Sequence, residues 1–126
     1  MVPRILTDLD WPVRTDRLTL RPAEQADAEA IWRWFRLPEV QEWTTTLSAT
    51  LEAHQAWWSR TLEGTVVALQ YDRIVASGKV VLQDAWSQSD MVEQARGQQA
   101  EIGWVVDPAV QRQGLGTEFA LSLIHI

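Results

Sequence analysis

Apolar and polar positions recur along the chain with spacings that predict a series of strands and helices. Leu18-Thr19-Leu20-Arg21 alternates apolar and polar residues before Pro22, which predicts a short strand. The apolar residues that follow share one helical face: Ala28, Ile31, Trp32 and Phe35. This spacing predicts an amphipathic helix that Pro38 closes.

A second helix and a hairpin are predicted next. Leu51, Trp58 and Leu62 share a helical face, and Ser48 or Thr50 is the candidate N-cap. The β-branched runs TVVALQY and RIVASGKVVL predict an antiparallel hairpin that turns at Asp72-Arg73.

The remaining segments complete the domain. The polar stretch QDAWSQSDMVEQARGQQ predicts an exposed loop, and AEIGWVV predicts a strand with Gly103 as a bulge. A helix is predicted to begin in GLGTEF. The order strand, helix, helix, strand, strand, strand, helix predicts an α/β (α+β) domain, with a mixed, mostly antiparallel sheet flanked by helices.

Composition narrows the function classes. The chain has 126 residues, the usual size of one domain, and its net charge of −6 argues against a general nucleic-acid binder. It has no cysteine, and its two histidines, His54 and His125, are too few for a typical zinc site, so we expect no metal. The absence of a long apolar run favours a soluble cytoplasmic protein without a membrane partner.

Eight tryptophans are unusual in a chain of this length, and we expect most of them in the core. The alternative is an aromatic-lined ligand pocket. Adjacent residues on a helix face different directions, so one of Trp57 and Trp58 is expected to leave the core. We interpret His54 as a residue of the helix surface.

The stretch WVVDPAVQRQGLGTEF joins a strand to a helix through a glycine-containing turn. Backbone N–H groups at a helix N-terminus lack intrahelical acceptors, and the helix dipole adds positive potential, so such a turn suits phosphate. Glycines let the backbone approach the ligand, and Arg112 can add a charge-assisted contact. The third glycine of the dinucleotide fingerprint is missing. Taken alone, the turn is equally well explained as an ordinary strand-to-helix connection.

Two stretches resemble one known family. AEIGWVVDPAVQRQGLGTEFA resembles the acetyl-CoA binding region of the GCN5-related N-acetyltransferases (GNAT), whose signature Gln/Arg-x-x-Gly-x-Gly/Ala is met by Gln111, Gly114 and Gly116. TDRLTLRPAEQADAEAIWRWF is similar to the opening of the branch that includes the ribosomal-protein alanine acetyltransferases. The likeness runs from about Thr15 to Ala120 and covers both stretches in the family's order.

The resemblance implies transfer of an acetyl group from acetyl-CoA to a primary amine, either a protein N-terminus or a small molecule. Independently of the resemblance, we leave a homodimer open as the assembly of the chain. Val105 and Val106 are the implied main-chain contacts of the pantetheine arm. The implied pyrophosphate contacts are the main chains of Gln111, Arg112, Gln113, Gly114, Leu115 and Gly116, with Thr117 at the helix start.

Further roles follow from the same resemblance. Glu101 takes the position of a general base, which requires that burial raise its pKa. The equal alternative is a solvent-facing Glu101, or one that only positions the amine. Tryptophans are candidate walls of the acceptor pocket: Trp34, Trp43 and Trp57.

The sequence departs from the family after the cofactor helix, where the family continues into another strand and helix. That helix often supplies a tyrosine as general acid, whereas the only tyrosine here is Tyr71. The terminal residues LSLIHI are the translation of CTGTCTCTTATACACATC, a transposase end sequence used to tag sequencing libraries. We therefore expect residues 1–120 to be the N-terminal part of a single domain and residues 121–126 to be adapter-derived. The alternative for residues 121–126 is a native helix. The alternative for the function is a non-catalytic acyl-CoA binding module.

Overall fold

A computed structural model describes residues 9–42, 48–83, 88–96 and 99–125. Its centre is a five-stranded sheet, and the strands are β1 (Val13–Arg14), β2 (Thr19–Pro22), β3 (Thr65–Gln70), β4 (Arg73–Gln83) and β5 (Gln99–Val106). The helices are α1 (Asp27–Phe35), α2 (Pro38–Gln41), α3 (Leu51–Thr61), α4 (Val92–Ala95) and α5 (Leu115–His125). Short 3₁₀ turns cover Ser89–Met91 and Pro108–Val110. The α/β architecture predicted from the element order is confirmed.

The strands lie side by side in chain order from β1 to β5, and each neighbouring pair is antiparallel. The predicted hairpin is β3–β4. Its two turn residues are Tyr71 and Asp72, with φ of 52° and 65°, and Arg73 already belongs to β4. Two consecutive positive φ angles give the two-residue turn whose twist matches the flanking strands. The turn therefore lies one residue before the predicted position.

The sheet contains one irregularity between β3 and β4, and it does not involve Gly103. The register shifts between Ala68 and Leu69, so that Ala68 pairs with Ala76 and Leu69 with Ile74. In contrast, β5 pairs with β4 residue for residue from Gln99 to Val106. The predicted bulge at Gly103 is therefore wrong, because Gly103 lies opposite Lys79 in an unbroken register.

Helix α5 covers one face of the sheet. Its apolar side presents Leu115, Phe119 and Leu123, all buried, to a cluster of strand residues. The cluster consists of Leu18, just before β2, and the strand residues Leu20, Val66, Ala68, Val75, Ala76 and Val80. Leu123 belongs to the terminal segment that we expect to be adapter-derived. The helix accommodates that segment, and its origin stays a prediction.

Helices α1 and α3 cover the opposite face. Ala28, Ile31 and Phe35 of α1 pack with Trp58 of α3 in a second apolar cluster, as the helical spacing predicts. Trp32, predicted on the same face, is half-buried outside this cluster, and Trp34 is buried in it instead. Thr50 is the N-cap of α3, since its side chain accepts a hydrogen bond from the N–H of Ala53.

The prediction of a surface position for His54 is wrong. His54 is fully buried, and its ring is surrounded by four aromatic rings with centroids 5.1–6.1 Å away: Trp32, Phe35, Trp57 and Trp58. The apolar residues of α1 and α3 meet around it and leave no path to the surface. Trp58 is buried and Trp57 is half-buried, as expected for adjacent residues on one helix.

Candidate functional site

The chain turns sharply between β5 and α5. After Val106 it forms the 3₁₀ turn Pro108–Val110 and then passes through two residues with positive φ, Arg112 at 67° and Gly114 at 79°. Gly114 has no Cβ to oppose this conformation, and Arg112 adopts it in spite of its side chain. Leu115 then anchors the start of α5 in the core, where it is buried.

Six consecutive backbone N–H groups of this turn are left unpaired within the described residues. The first hydrogen bond of α5 joins the N–H of Glu118 to the carbonyl of Gly114, at 3.1 Å. Within the described ranges, the N–H groups of residues 112–117 donate to no protein acceptor. Unpaired amides at the positive end of a helix, here one of eleven residues, are suited to an anion. Phosphate binding by this turn stays a prediction.

Asp107 fixes the beginning of the turn. Its N–H donates to the carbonyl of Val75 at 2.8 Å, which continues the bonding between β5 and β4. Its carboxylate accepts the N–H of Ala109 at 2.9 Å and pairs with Nη2 of Arg73 at 2.7 Å. The residue is only 2% exposed. A second restraint is Gln111, whose side-chain amide donates to the carbonyl of Val106 at 3.1 Å.

Gly116 leaves space between α5 and β5. A Cβ at this position would lie 3.4 Å from Cγ2 of Val106 and 3.9 Å from Nε1 of Trp104. A side chain larger than methyl would therefore fill the gap between the helix start and the strand. Trp104, which is not among the site residues predicted from the sequence, is 47% exposed beside this gap.

The register of β5 decides which main-chain groups face its outer edge. The N–H of Asp107 donates to the carbonyl of Val75, and in an antiparallel pair every second residue bonds its neighbour strand. The odd-numbered residues of β5 therefore form the hydrogen bonds to β4, and the even-numbered residues do not. Val105 is thereby directed at Ser77, whereas Trp104 and Val106 direct their N–H and C=O groups outward. Of the two predicted pantetheine contacts, only Val106 thus directs its main chain to the edge, where its carbonyl already accepts the Gln111 side chain and its N–H remains. The alternation could be read from the sequence, but the register could not.

The structure also brings a network to the turn that the sequence analysis did not find. The carboxylate of Glu118 accepts hydrogen bonds from the hydroxyl of Thr15 and from the backbone N–H of Arg17 at 2.9 Å. It also pairs with Nε of Arg17 at 2.9 Å. Burial acts to raise the pKa of Glu118, but these bonds and the Arg17 charge together lower it. The carboxylate is therefore held ionised at neutral pH.

The other site residues predicted from the sequence do not form one group around the turn. Glu101 lies on β5 opposite Val81 with its side chain exposed, so the burial on which the general-base role depends is not supplied by the protein here. Trp34 is buried in the second apolar cluster, and Trp57 packs against that cluster. Trp43 lies outside the described residues. Gln113 and Thr117 are exposed beside the unpaired amides.

No described helix combines the length and hydropathy that a bilayer span requires. Within the described ranges, acidic and histidine side chains form no group of three or more that would suit a metal ion.

Comparisons with known proteins identify relatives by sequence model and by fold. The family model of the GNAT acetyltransferase domain matches residues 17–126. No protein of curated function matches the sequence. A GNAT-family acetyltransferase from Bacillus anthracis is similar in structure, with a TM-score of 0.69 and 17% identity over 90% of this chain and 63% of that one.

Two further solved structures share the fold. The ribosomal-protein-S5-alanine acetyltransferase from Vibrio fischeri has a TM-score of 0.66 and 15% identity, covering 92% of this chain and 66% of that one. The Salmonella typhimurium protein yncA, solved with its cofactor acetyl-CoA, has a TM-score of 0.56 and 20% identity, covering 87% of this chain and 62% of that one. The chain thus spans less than two thirds of the length of these proteins.

Proposed function

The chain belongs to the GNAT acetyltransferase family, and we propose that it transfers an acetyl group from acetyl-CoA to a primary amine. The observation that carries this proposal is the run of unpaired N–H groups at residues 112–117. Such a run binds a diphosphate through several hydrogen bonds at once and without a metal ion. The Salmonella typhimurium protein with the same fold was solved with its cofactor acetyl-CoA, which supports the choice of ligand.

In this proposal the thioester end of acetyl-CoA lies beside the outer edge of β5. With the pyrophosphate at the start of α5, the pantetheine arm extends along the outer edge of β5. Trp104 presents its N–H and C=O groups there and Val106 its N–H, since the Val106 carbonyl already accepts the side-chain amide of Gln111. A donor on this edge would polarise the thioester carbonyl. The amine nitrogen then attacks that carbonyl carbon, a C–N bond forms, the C–S bond breaks, and coenzyme A leaves as the thiol after taking up a proton.

Glu101 is our candidate for the base that removes the proton from the amine. It lies on the cofactor strand, and the bound substrate would have to supply the desolvation that the protein does not. We expect Glu101→Gln to lower turnover while acetyl-CoA affinity is retained, with the largest loss at low pH. An unaltered pH–rate profile would remove Glu101 from the mechanism.

The acceptor is proposed as a primary amine of either a protein N-terminus or a small molecule. The fold shared with the Vibrio fischeri alanine acetyltransferase supports a protein N-terminus. The net charge of −6 is consistent with a cationic acceptor in either class. A panel containing alanine-initiated peptides and polyamines separates the two.

A second candidate function is binding of acyl-CoA without catalysis. Exposure of Glu101 and the position of Tyr71, 94% exposed at the β3–β4 turn, favour it. Neither group is placed to act as a buried acid or base. Acetyl-CoA binding without acetylation of any amine in the panel would establish this alternative.

Calorimetric titration with acetyl-CoA tests the binding step common to both functions. We expect saturable binding by the unmodified chain and none by Gly114→Trp, because a Cβ opposes the positive φ of this residue and would lie 3.2 Å from Nη2 of Arg17, which distorts the turn. Circular dichroism checks that this variant folds. Equal affinity of the two proteins would contradict the proposed site. The transfer step is tested separately, by measuring the free thiol that is released when an amine is added to the unmodified chain with acetyl-CoA.

A further inference from the structure

Arg17 reaches the candidate phosphate turn from a distant part of the sequence. It lies in the connection between β1 and β2, and its Nη1 donates to the carbonyl of Gln113 at 2.6 Å. Its Nη2 would lie 3.2 Å from a Cβ at Gly114, so the guanidinium covers that glycine closely. The side chain is 43% exposed. The side chain of Arg17 therefore contacts the main chain in the middle of the turn.

The bond to Gln113 fixes the orientation of a peptide group. In a trans peptide the carbonyl of one residue and the N–H of the next point in opposite directions. Because the Gln113 carbonyl is held toward Arg17, the N–H of Gly114 points away from it. Gly114 has one of the unpaired N–H groups of the turn. Arg17 thus lies behind the turn, on the side opposite to this donor.

Glu118 and Thr15 hold Arg17 in place. The carboxylate of Glu118 bonds both the backbone N–H and Nε of Arg17, each at 2.9 Å. Thr15 donates to the same carboxylate. The pairing also offsets a negative charge in the first turn of α5, which would otherwise repel a phosphate nearby.

We infer that Arg17 is a positioning residue for the pyrophosphate subsite, since it orients the Gln113–Gly114 peptide so that the Gly114 N–H faces the coenzyme. The inference rests on the proposed function. It assigns no contact between Arg17 and the coenzyme. Loss of Arg17 should therefore affect only ligands that contain the pyrophosphate.

The test compares two ligands on three variants. Acetyl-CoA is titrated calorimetrically, and S-acetylpantetheine, which lacks the pyrophosphate, is measured by displacement. We expect Arg17→Gln to weaken acetyl-CoA roughly tenfold, as for loss of one well-oriented hydrogen bond, and to leave S-acetylpantetheine within about twofold. Arg60→Gln makes the same charge change on the exposed side of α3 and should alter neither affinity.

A second variant covers the case in which Arg17→Gln does not fold. Arg17→Lys retains the charge, but an ammonium group lacks the planar fork that bonds Glu118 and Gln113 together. We expect its acetyl-CoA affinity to lie between those of the unmodified chain and Arg17→Gln. In ¹⁵N-resolved spectra, the acetyl-CoA-induced shift of the Gly114 amide should be reduced in both variants.

The outcomes separate the inference from the proposed function. If the unmodified chain binds acetyl-CoA and Arg17→Gln binds it equally well, the inference is wrong and the proposed function stands. If Arg17→Gln weakens both ligands equally, Arg17 acts on the whole fold and the inference is also wrong. If the unmodified chain does not bind acetyl-CoA, both proposals are overturned.

Discussion

Gly78 of β4 lies directly beneath Phe119 of α5. A Cβ at position 78 would be 2.9 Å from Cζ of Phe119 and 2.9 Å from Cδ1 of Leu123. The carbonyl oxygen of Gly103 on β5 would be equally close, at 2.9 Å. Atoms in packed proteins do not approach this closely, so the glycine sets how near α5 sits to the sheet. The position of the candidate phosphate turn, at the start of α5, depends on this packing.

Substitution of Gly78 is therefore expected to destabilise the fold. Gly78→Ala should lower the free energy of unfolding by about 1–3 kcal/mol through overpacking, measured by urea denaturation. Gly103→Ala is the matched control, because its Cβ would meet only Lys79, at 3.6 Å from Cε. We expect it to change stability by less than about 0.5 kcal/mol. Similar losses for both variants would contradict this account of the interface.

The two glycines of the candidate turn should respond differently to alanine. Gly114 has φ of 79° and a neighbour, Nη2 of Arg17, 3.2 Å from its Cβ position, so Gly114→Ala should cost about 1–2 kcal/mol. Gly114→Asn should recover part of that loss, since asparagine tolerates positive φ. Gly116 lies within α5, where alanine is the better helix former. Thermal denaturation of Gly116→Ala should therefore show no loss, and a loss matching that of Gly114→Ala would refute the distinction.

The elements of the fold were largely predictable because their signals are local. The periodicity of Ala28, Ile31 and Phe35 identifies α1, and the β-branched runs identify β3 and β4. The irregularity of the sheet was not predictable. Glycine suggested a bulge at Gly103, but the register shift lies at Ala68 and depends on how two strands pair. Pairing is a long-range property that no residue type signals by itself.

The candidate site likewise has a part that the sequence predicts and a part that it does not. The turn from Gln111 to Gly116 follows from a short motif whose physics is local. Arg17 and Glu118 are separated by 101 positions, so their pairing exists only once β2 and α5 pack. His54 illustrates the converse error: a lone polar residue on a helix suggests exposure, and only the meeting of α1 and α3 buries it. Long-range contacts therefore decide what the local pattern leaves open.

Asp107 is expected to be important for stability because it satisfies several groups at the end of β5. Asp107→Ala removes the acceptor of the Ala109 N–H and the partner of Arg73, and should cost about 2–3 kcal/mol in urea denaturation. Asp107→Asn keeps the acceptor and should lose less. Glu93→Gln changes a pair in which both side chains are exposed, so its cost should stay below about 0.5 kcal/mol. An equal effect of Asp107→Ala and Glu93→Gln would show that the buried carboxylate contributes little.

His54 is expected to make stability depend on pH. Burial lowers the pKa of His54 below its ordinary value of 6.5, and the hydrogen bond between Nε2 and the Ala28 carbonyl only partly offsets this. The other ring nitrogen, Nδ1, is buried without a partner in the described part of the chain. The fold therefore retains the neutral ring, whereas the unfolded chain binds a proton once the pH falls below about 6.5.

The sign of the effect follows from that difference. The free energy of unfolding should be level above the unfolded pKa and should fall as the pH decreases toward the folded pKa, by at most about 1.4 kcal/mol per pH unit. Urea denaturation between pH 7.5 and about pH 5 measures the slope, in a range above the ordinary pKa of carboxylates. His54→Leu should flatten this slope. His125→Gln, at the exposed end of α5, should leave it unchanged. A slope that survives in His54→Leu would assign the pH dependence to another group.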